Sequence, residues 1–169
     1  MDSGILVLRL VLGLLMAAHG SQKLFGWFGG HGLAGTGVFF EGLGFHPGRV
    51  FAALAAISEV GSGLLIALGL FGPIGPALML SVMVVAAVSV HLPNGLFAAS
   101  NGIEIPLLYG TGAVALALTG PGRLSLDALL GLTPLWTSTL SLTALAAGIL
   151  GGAANLALRR RPAPAPVAA

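Results

Sequence analysis

Glu59 is the residue whose position most strongly indicates chemistry, because it lies in the middle of a long apolar stretch. An ionisable side chain inside a membrane helix costs roughly 2.5 to 3.5 kcal/mol on insertion scales, so such a residue is a functional candidate by default. Small residues share its helical face: Ala52, Ala55, Ala56, Ser62 and Gly63. The pattern predicts a carboxyl group that faces other helices. The alternative is a structural hydrogen bond made by the protonated acid.

Further polar residues lie near the ends of other apolar stretches. His19, Gln22 and Lys23 have helical i, i+3 and i+4 spacing and form one patch. Counting the alternating directions of successive spans places this patch at the same membrane side as two later residues, His91 and Glu104. We therefore expect one site built from five ionisable residues: His19, Lys23, Glu59, His91 and Glu104. The alternatives are interfacial histidines and an interfacial, snorkelling Lys23.

The site would suit proton exchange with a ligand oxygen through Glu59 and His91, with Lys23 stabilising developing negative charge. Two His and two Glu could also hold a metal ion, but no close ligand spacing such as H-x-x-x-H occurs, so no metal site is predicted. The chain has no Cys. Disulfides, thiol relays and cysteine-ligated clusters are thereby excluded, and a redox role would need a cofactor or a partner.

The composition determines the class of protein. Of 169 residues, 56% are hydrophobic and 7% are charged, against roughly 25% charged in soluble domains. Such a chain cannot cover its surface in water, whereas lipid removes that requirement. The seven basic residues form no extended basic face, so a nucleic-acid partner is not expected.

Five stretches approach the roughly 20 apolar residues that a membrane span requires. They are residues 5–25, 49–70, 74–91, 103–119 and 135–158, and the last is the weakest because it contains Ser, Thr and Asn155. We predict an all-α, polytopic membrane bundle of four core helices and a fifth C-terminal helix. The Pro/Ala tail, residues 161–169, is expected to be disordered.

The basic residues predict the orientation. Lys23, Arg49 and Arg159–Arg161 would lie at the cytoplasmic side, together with the C-terminus. Arg9 and Arg123 would lie at the outer side. The N-terminus lacks the features of a cleaved signal peptide, so the first helix is expected to be retained.

Two further segments carry predictions. Residues 26–48 are rich in Gly and aromatic residues, which predicts either an interfacial aromatic belt or a flexible lid in which Trp27 and Phe28 cover an apolar ligand. Arg9 and Asp127 are expected at the opposite membrane side, where we predict that they pair as a structural clasp.

These motifs together resemble the DoxX family of small bacterial membrane proteins. The resemblance rests on Arg9–Gly13, His19–Gly26, Glu59–Leu65, His91 and Gly120–Asp127 and covers about residues 5–130. It implies a four-helix core, residues 1–130, to which residues 131–160 add a helix.

The resemblance also implies the bacterial plasma membrane and a link to redox chemistry. The leading hypothesis is a membrane subunit that anchors a soluble redox enzyme and binds a quinone at the polar cluster, including Gln22, with Trp27 and Phe28 against the ring. A homo-oligomeric transporter or channel and a non-catalytic scaffold are the alternatives.

Overall fold

The computed structural model describes residues 2–160, which fold as helices without β-strands. The predicted fold class is therefore confirmed. The helices are α1 (Asp2–Phe25), α2 (Gly32–Gly42), α3 (Gly48–Leu68), α4 (Ile74–Ala86), α5 (Glu104–Thr119), α6 (Leu126–Leu129) and α7 (Ser138–Ala157). A π-helical turn, Ala87–His91, extends α4. Arg161 and the predicted disordered tail lie outside the described residues.

Four helices are long and apolar enough to cross a membrane: α1, α3, α4 with its extension to Asn94, and α7. Helix α7 corresponds to the predicted fifth span, which the sequence indicated as the weakest, and it is long enough to cross a membrane. Helix α5 has 16 residues, a rise of about 24 Å, which is shorter than a typical hydrocarbon core.

The surface of the bundle is apolar, as a lipid-facing surface must be. Leu14, Leu54, Leu107 and Leu150 are each more than half exposed. The interior holds a cluster in which Met16, Ile66, Met79 and Leu116 are almost fully buried. Apolar residues therefore occupy both the outside and the centre, which is the arrangement expected of a bundle in a bilayer.

Glycines permit the close contact between α1 and α3. A Cβ atom at Gly13 would lie 2.5 Å from the Gly63 carbonyl oxygen, and one at Gly20 would lie 2.7 Å from that of Ala56. Small residues let helices approach where no hydrophobic effect drives association. The tight bundle predicted from the small-residue spacing is therefore present, and the contact brings Lys23 near the middle of α3.

The segment between α1 and α3 differs from the expected loop. It contains α2, which packs against α3, and Phe45 after it is fully buried. The Glu41 carboxylate accepts a hydrogen bond from the Gly48 backbone N–H at 3.1 Å and caps the start of α3. The glycines thus serve close helix packing as well as turns, because a side chain at Gly37 or Gly48 would meet the opposing helix.

Candidate functional site

A cavity of about 230 Å³ lies among α2, α3, the extended α4 and α7, with Lys23 of α1 in its wall. Its polar lining residues come from four helices: Lys23, Ser58, Glu59, Ser81, Ser89, His91 and Asn155. The remaining lining residues are apolar, three of them phenylalanines: Phe39, Phe40 and Phe51. The cavity therefore combines a mostly apolar wall with a small number of polar groups, which is typical of a small-molecule site.

An ion pair forms the charged part of this wall. Lys23 Nζ donates to Glu59 Oε2 at 2.5 Å, and the Glu59 side chain is 5% exposed against 27% for Lys23. The α1–α3 contact positions both groups, since each lies on the face that meets the other helix. Pairing lowers the free-energy cost of holding either charge in an apolar environment. Both side chains still line the cavity.

His91 reaches the cavity from the π-helical turn. Its Nδ1 lies 2.8 Å from the Asn101 carbonyl oxygen. Because a carbonyl group only accepts, Nδ1 carries the hydrogen in this contact, and Nε2 of the neutral ring can accept a proton. Single π-helical turns are frequent at functional sites, and this one also places Ser89 in the cavity wall.

Two of the five ionisable residues expected at the site lie elsewhere. The exposed His19 ring makes an edge-to-face contact with Tyr109, with centroids 6.1 Å apart. Glu104 Oε2 accepts from the Ala98 backbone N–H at 2.7 Å and so stabilises the loop before α5. The prediction of a five-residue cluster was therefore wrong in part: only Lys23, Glu59 and His91 converge.

The separation of these residues also bears on metal binding. Within residues 2–160, no three His, Asp or Glu side chains are grouped so that they could hold a metal ion. The two His and two Glu considered from the sequence do not come together. The direction of each helix determines which end of the bundle a residue reaches, but the rotation of the helix determines which face it occupies.

Three other predicted contacts are corrected by the structure. Gln22 lies outside this cavity and donates to the Phe28 carbonyl oxygen at 3.0 Å. Trp27 and Phe28 are 58% and 70% exposed and line no part of it. The aromatic wall comes instead from α2 and the start of α3, because α2 folds back along α3 while the Trp27–Gly29 turn points away from the bundle.

Sequence reasoning missed Ser58, Ser81, Ser89 and Asn155. The serines gave little signal, since a small hydroxyl is easily accommodated in a membrane helix. Asn155 did give a signal, because an amide is an unusual group inside a membrane span. From the sequence alone, it served only as a reason to regard the fifth span as weak.

The cavity opens sideways. Leu54 lines it from within the span of α3 and is 52% exposed, and Phe39 of α2 lines it with the same exposed fraction. A shallower depression of about 550 Å³ adjoins it at the end of the bundle and shares Lys23 and Phe39 with it. The Lys23–Glu59 pair thus lies between an apolar side opening and the end of the molecule.

At the opposite end of the bundle, Arg9 and Asp127 do not form the predicted direct pair; within residues 2–160, each side chain binds backbone groups instead. Arg9 donates to four backbone carbonyl groups, those of Ile66, Ala67, Pro121 and Leu124, at 2.7 to 2.9 Å. Asp127 accepts from the N–H groups of Phe71 and Gly72 at 2.9 and 2.7 Å. Both are buried and secure the same end of the bundle, but each does so through backbone groups, which hydropathy and spacing do not reveal.

Comparison with known proteins gives one match. The sequence model of the DoxX family matches residues 4–92, more than half of the chain. That range contains Lys23, Glu59 and His91, but ends before α5 and α7, whereas the resemblance had been expected to extend to about residue 130. No curated protein and no solved structure shows significant similarity to the chain.

Proposed function

The chain belongs to the DoxX family, and on that premise we propose that it is the quinone-binding membrane subunit of a redox system. The observation that carries the proposal is the laterally open, aromatic-walled cavity with the Lys23–Glu59 pair and His91 in its lining. A quinone combines an apolar ring and tail with oxygen atoms that take up protons, and it reaches proteins from within the lipid.

The volume supports a head group rather than a whole ligand. About 230 Å³ is below the 300 to 1,000 Å³ typical of sites that enclose a drug-sized molecule. A single substituted ring would occupy this space between Phe39, Phe40 and Phe51, and its isoprenoid tail would leave past Leu54 into lipid.

The polar groups would manage charge and protons. Reduction of a quinone to a quinol takes up two electrons and two protons and forms two O–H bonds. We assign the electrons to a soluble partner dehydrogenase that carries a flavin or iron–sulfur centre. Lys23 would stabilise negative charge on one quinone oxygen. Glu59, a carboxylate in its pair with Lys23, and His91, through Nε2, would each first take up a proton and then pass it to a quinone oxygen. The depression beside Lys23 would supply these protons.

The packing favours this function over transport. The buried cluster of Met16, Ile66, Met79 and Leu116 fills the bundle between the cavity and the Arg9 end, whereas a transporter or channel needs a path through this layer. A homo-oligomer could supply such a path between copies, so uptake into liposomes is the assay for that alternative. The non-catalytic scaffold remains an outcome of the next experiment.

The proposal is tested on protein purified from native membrane in mild detergent, with its organic extract analysed by mass spectrometry. We expect a quinone at about one per chain, lost in Glu59→Ala and retained in Glu104→Gln, the matched carboxyl change outside the cavity. Glu59→Gln should abolish quinone-dependent turnover without unfolding the protein. An extract without quinone, together with failure to bind added short-chain quinone, would refute the proposal, and a co-purifying soluble enzyme in that case would support the scaffold.

A further inference from the structure

Helix α7 completes the cavity although it lies outside the matched part of the family. It packs mainly against α4. Its C-terminal end is held at the α2–α3 turn, where Arg160 N donates to the Gly44 carbonyl oxygen at 2.8 Å and Arg159 donates to that of Leu43. The helix is therefore secured on both sides of the cavity, by α4 along its length and by the α2–α3 turn at its end.

Two glycines determine which face of α7 points inward. Gly148 and Gly152 lie one turn apart and are buried. A Cβ atom at Gly152 would lie 2.8 Å from the Ser81 carbonyl oxygen, and one at Gly148 would overlap that of Ala77. Asn155 follows Gly152 by three residues, so this contact turns its side chain toward the cavity that it lines.

The Asn155 side chain has unused hydrogen-bonding capacity. Within the described residues, the side-chain hydrogen bonds in and beside α7 come from Thr137, Thr143 and Arg159. The Asn155 backbone carbonyl accepts from Leu158 N at 3.2 Å, while its amide faces a mostly apolar space. Asn155 is only partly buried and lines the cavity, so a ligand in the cavity can supply the partner that its amide lacks.

We propose that Asn155 is the specificity-determining residue for the second oxygen of the quinone head group. This inference rests on the proposed function. Lys23 and Glu59 reach the cavity from α1 and α3, and Asn155 reaches it from α7 beyond α4, so the ring has polar groups on two sides. An amide can donate to the carbonyl of a quinone and accept from the hydroxyl of a quinol, so one residue serves both redox states. The preferred ligand class is a ring with two opposed oxygens.

The experiment compares two ligands on the purified full-length protein: a short-chain para-quinone and an analogue of the same ring and tail that lacks one carbonyl oxygen. The remaining oxygen is expected to bind at Lys23, where the charge-assisted hydrogen bond is stronger. The wild-type protein should then bind the quinone roughly fivefold more tightly than the analogue, the worth of one ordinary hydrogen bond. In Asn155→Leu this ratio should fall to about one, with the affinity for the analogue little changed.

Ala154→Leu, which changes the exposed neighbour on the lipid-facing side, is the matched control and should keep the wild-type ratio. Asn155→Ala gives the same test if the leucine variant does not fold. A ratio that stays near fivefold in Asn155→Leu or Asn155→Ala overturns the role of Asn155 and leaves the proposed function intact. A wild-type protein that binds neither ligand overturns both.

Discussion

The Lys23–Glu59 pair is a residue-scale feature in which either charge alone would be costly. The Glu59 side chain is almost fully buried while Lys23 keeps about a quarter of its side-chain surface. Removing one partner of a buried pair is more harmful than removing both, because it leaves an unpaired charge. The pair can therefore stabilise the bundle and still serve as the reactive group of the cavity.

This asymmetry leads to a stability prediction. Lys23→Met should lower the unfolding free energy by about 1 to 3 kcal/mol, below the full penalty for a deeply buried pair because Lys23 is partly exposed. The double variant Lys23→Met/Glu59→Gln should recover most of that loss. Thermal unfolding in detergent measures both, and a double variant as unstable as the sum of the singles would show that the pair does not stabilise the fold.

Arg9 is the second residue-scale feature, since one guanidinium joins three parts of the chain at the end opposite the cavity. Arg9→Lys should destabilise the protein by about 2 kcal/mol or more, because a single ammonium cannot satisfy four carbonyl groups in the fork geometry of arginine. Urea unfolding of the purified protein is the measurement. A lysine variant as stable as the wild type would contradict this role.

The separate partners of Arg9 and Asp127 change the expectation for combining them. A direct clasp predicts that losing Arg9 does no further harm once Asp127 is gone. Because the two bind different backbone groups, the double variant Arg9→Ala/Asp127→Ala should be clearly less stable than either single variant. Exposed Arg123→Ala is the control and should change stability little.

At the scale of elements, the contact between α4 and α7 positions the helix that closes one side of the cavity. Gly148→Val should push α7 from α4, since its side chain would overlap the Ala77 backbone, and should cost about 1 to 3 kcal/mol as overpacking. It should also weaken quinone binding. Gly151→Val is the matched control, because a Cβ atom there lies 3.5 Å from Ser81 Oγ, an ordinary contact. Equal effects of the two variants in thermal unfolding would show that the glycine contact does not matter.

At the scale of the whole molecule, the two ends of the bundle differ in charge. Lys23, Arg49, Arg159 and Arg160 lie at the cavity end, which Arg160 joins to Gly44. Arg123 lies at the other end, where its N–H donates to Asp2 Oδ1 at 3.1 Å. The positive-inside rule therefore predicts that the cavity end faces the cytoplasm, where a soluble partner would dock.

The absence of Cys allows a direct test of this orientation. Single cysteines at His46 and Arg123, both exposed, report the two ends. A membrane-impermeant maleimide should label Arg123→Cys in intact cells and His46→Cys only after the membrane is opened. The reverse pattern would place the cavity end outside and contradict the assignment.

The sequence predicted the membrane-spanning helices more accurately than the contacts of the candidate site. Long apolar stretches predicted α1, α3, α4 and α7 with ends correct to a few residues, because a span is a property of local composition. Helix α2 was not predicted: its glycines favour a loop locally, and only packing against α3 makes the helix stable. Glu59 and Lys23, which line the cavity, were predicted as candidate site residues because ionisable groups are costly in lipid wherever they occur.

The amino-acid sequence by itself determined that this protein is a membrane helix bundle and which ionisable groups need partners, since both follow from the free energy of placing side chains in lipid. Only the tertiary structure decided the partners. The rotation of each helix about its axis separates Glu59, which meets Lys23, from His19 and Glu104, which have other partners. The same packing places Asn155 in the cavity lining. It also surrounds Arg9 with backbone carbonyl groups, which it binds in place of Asp127, because contacts between distant segments depend on how the helices fit together.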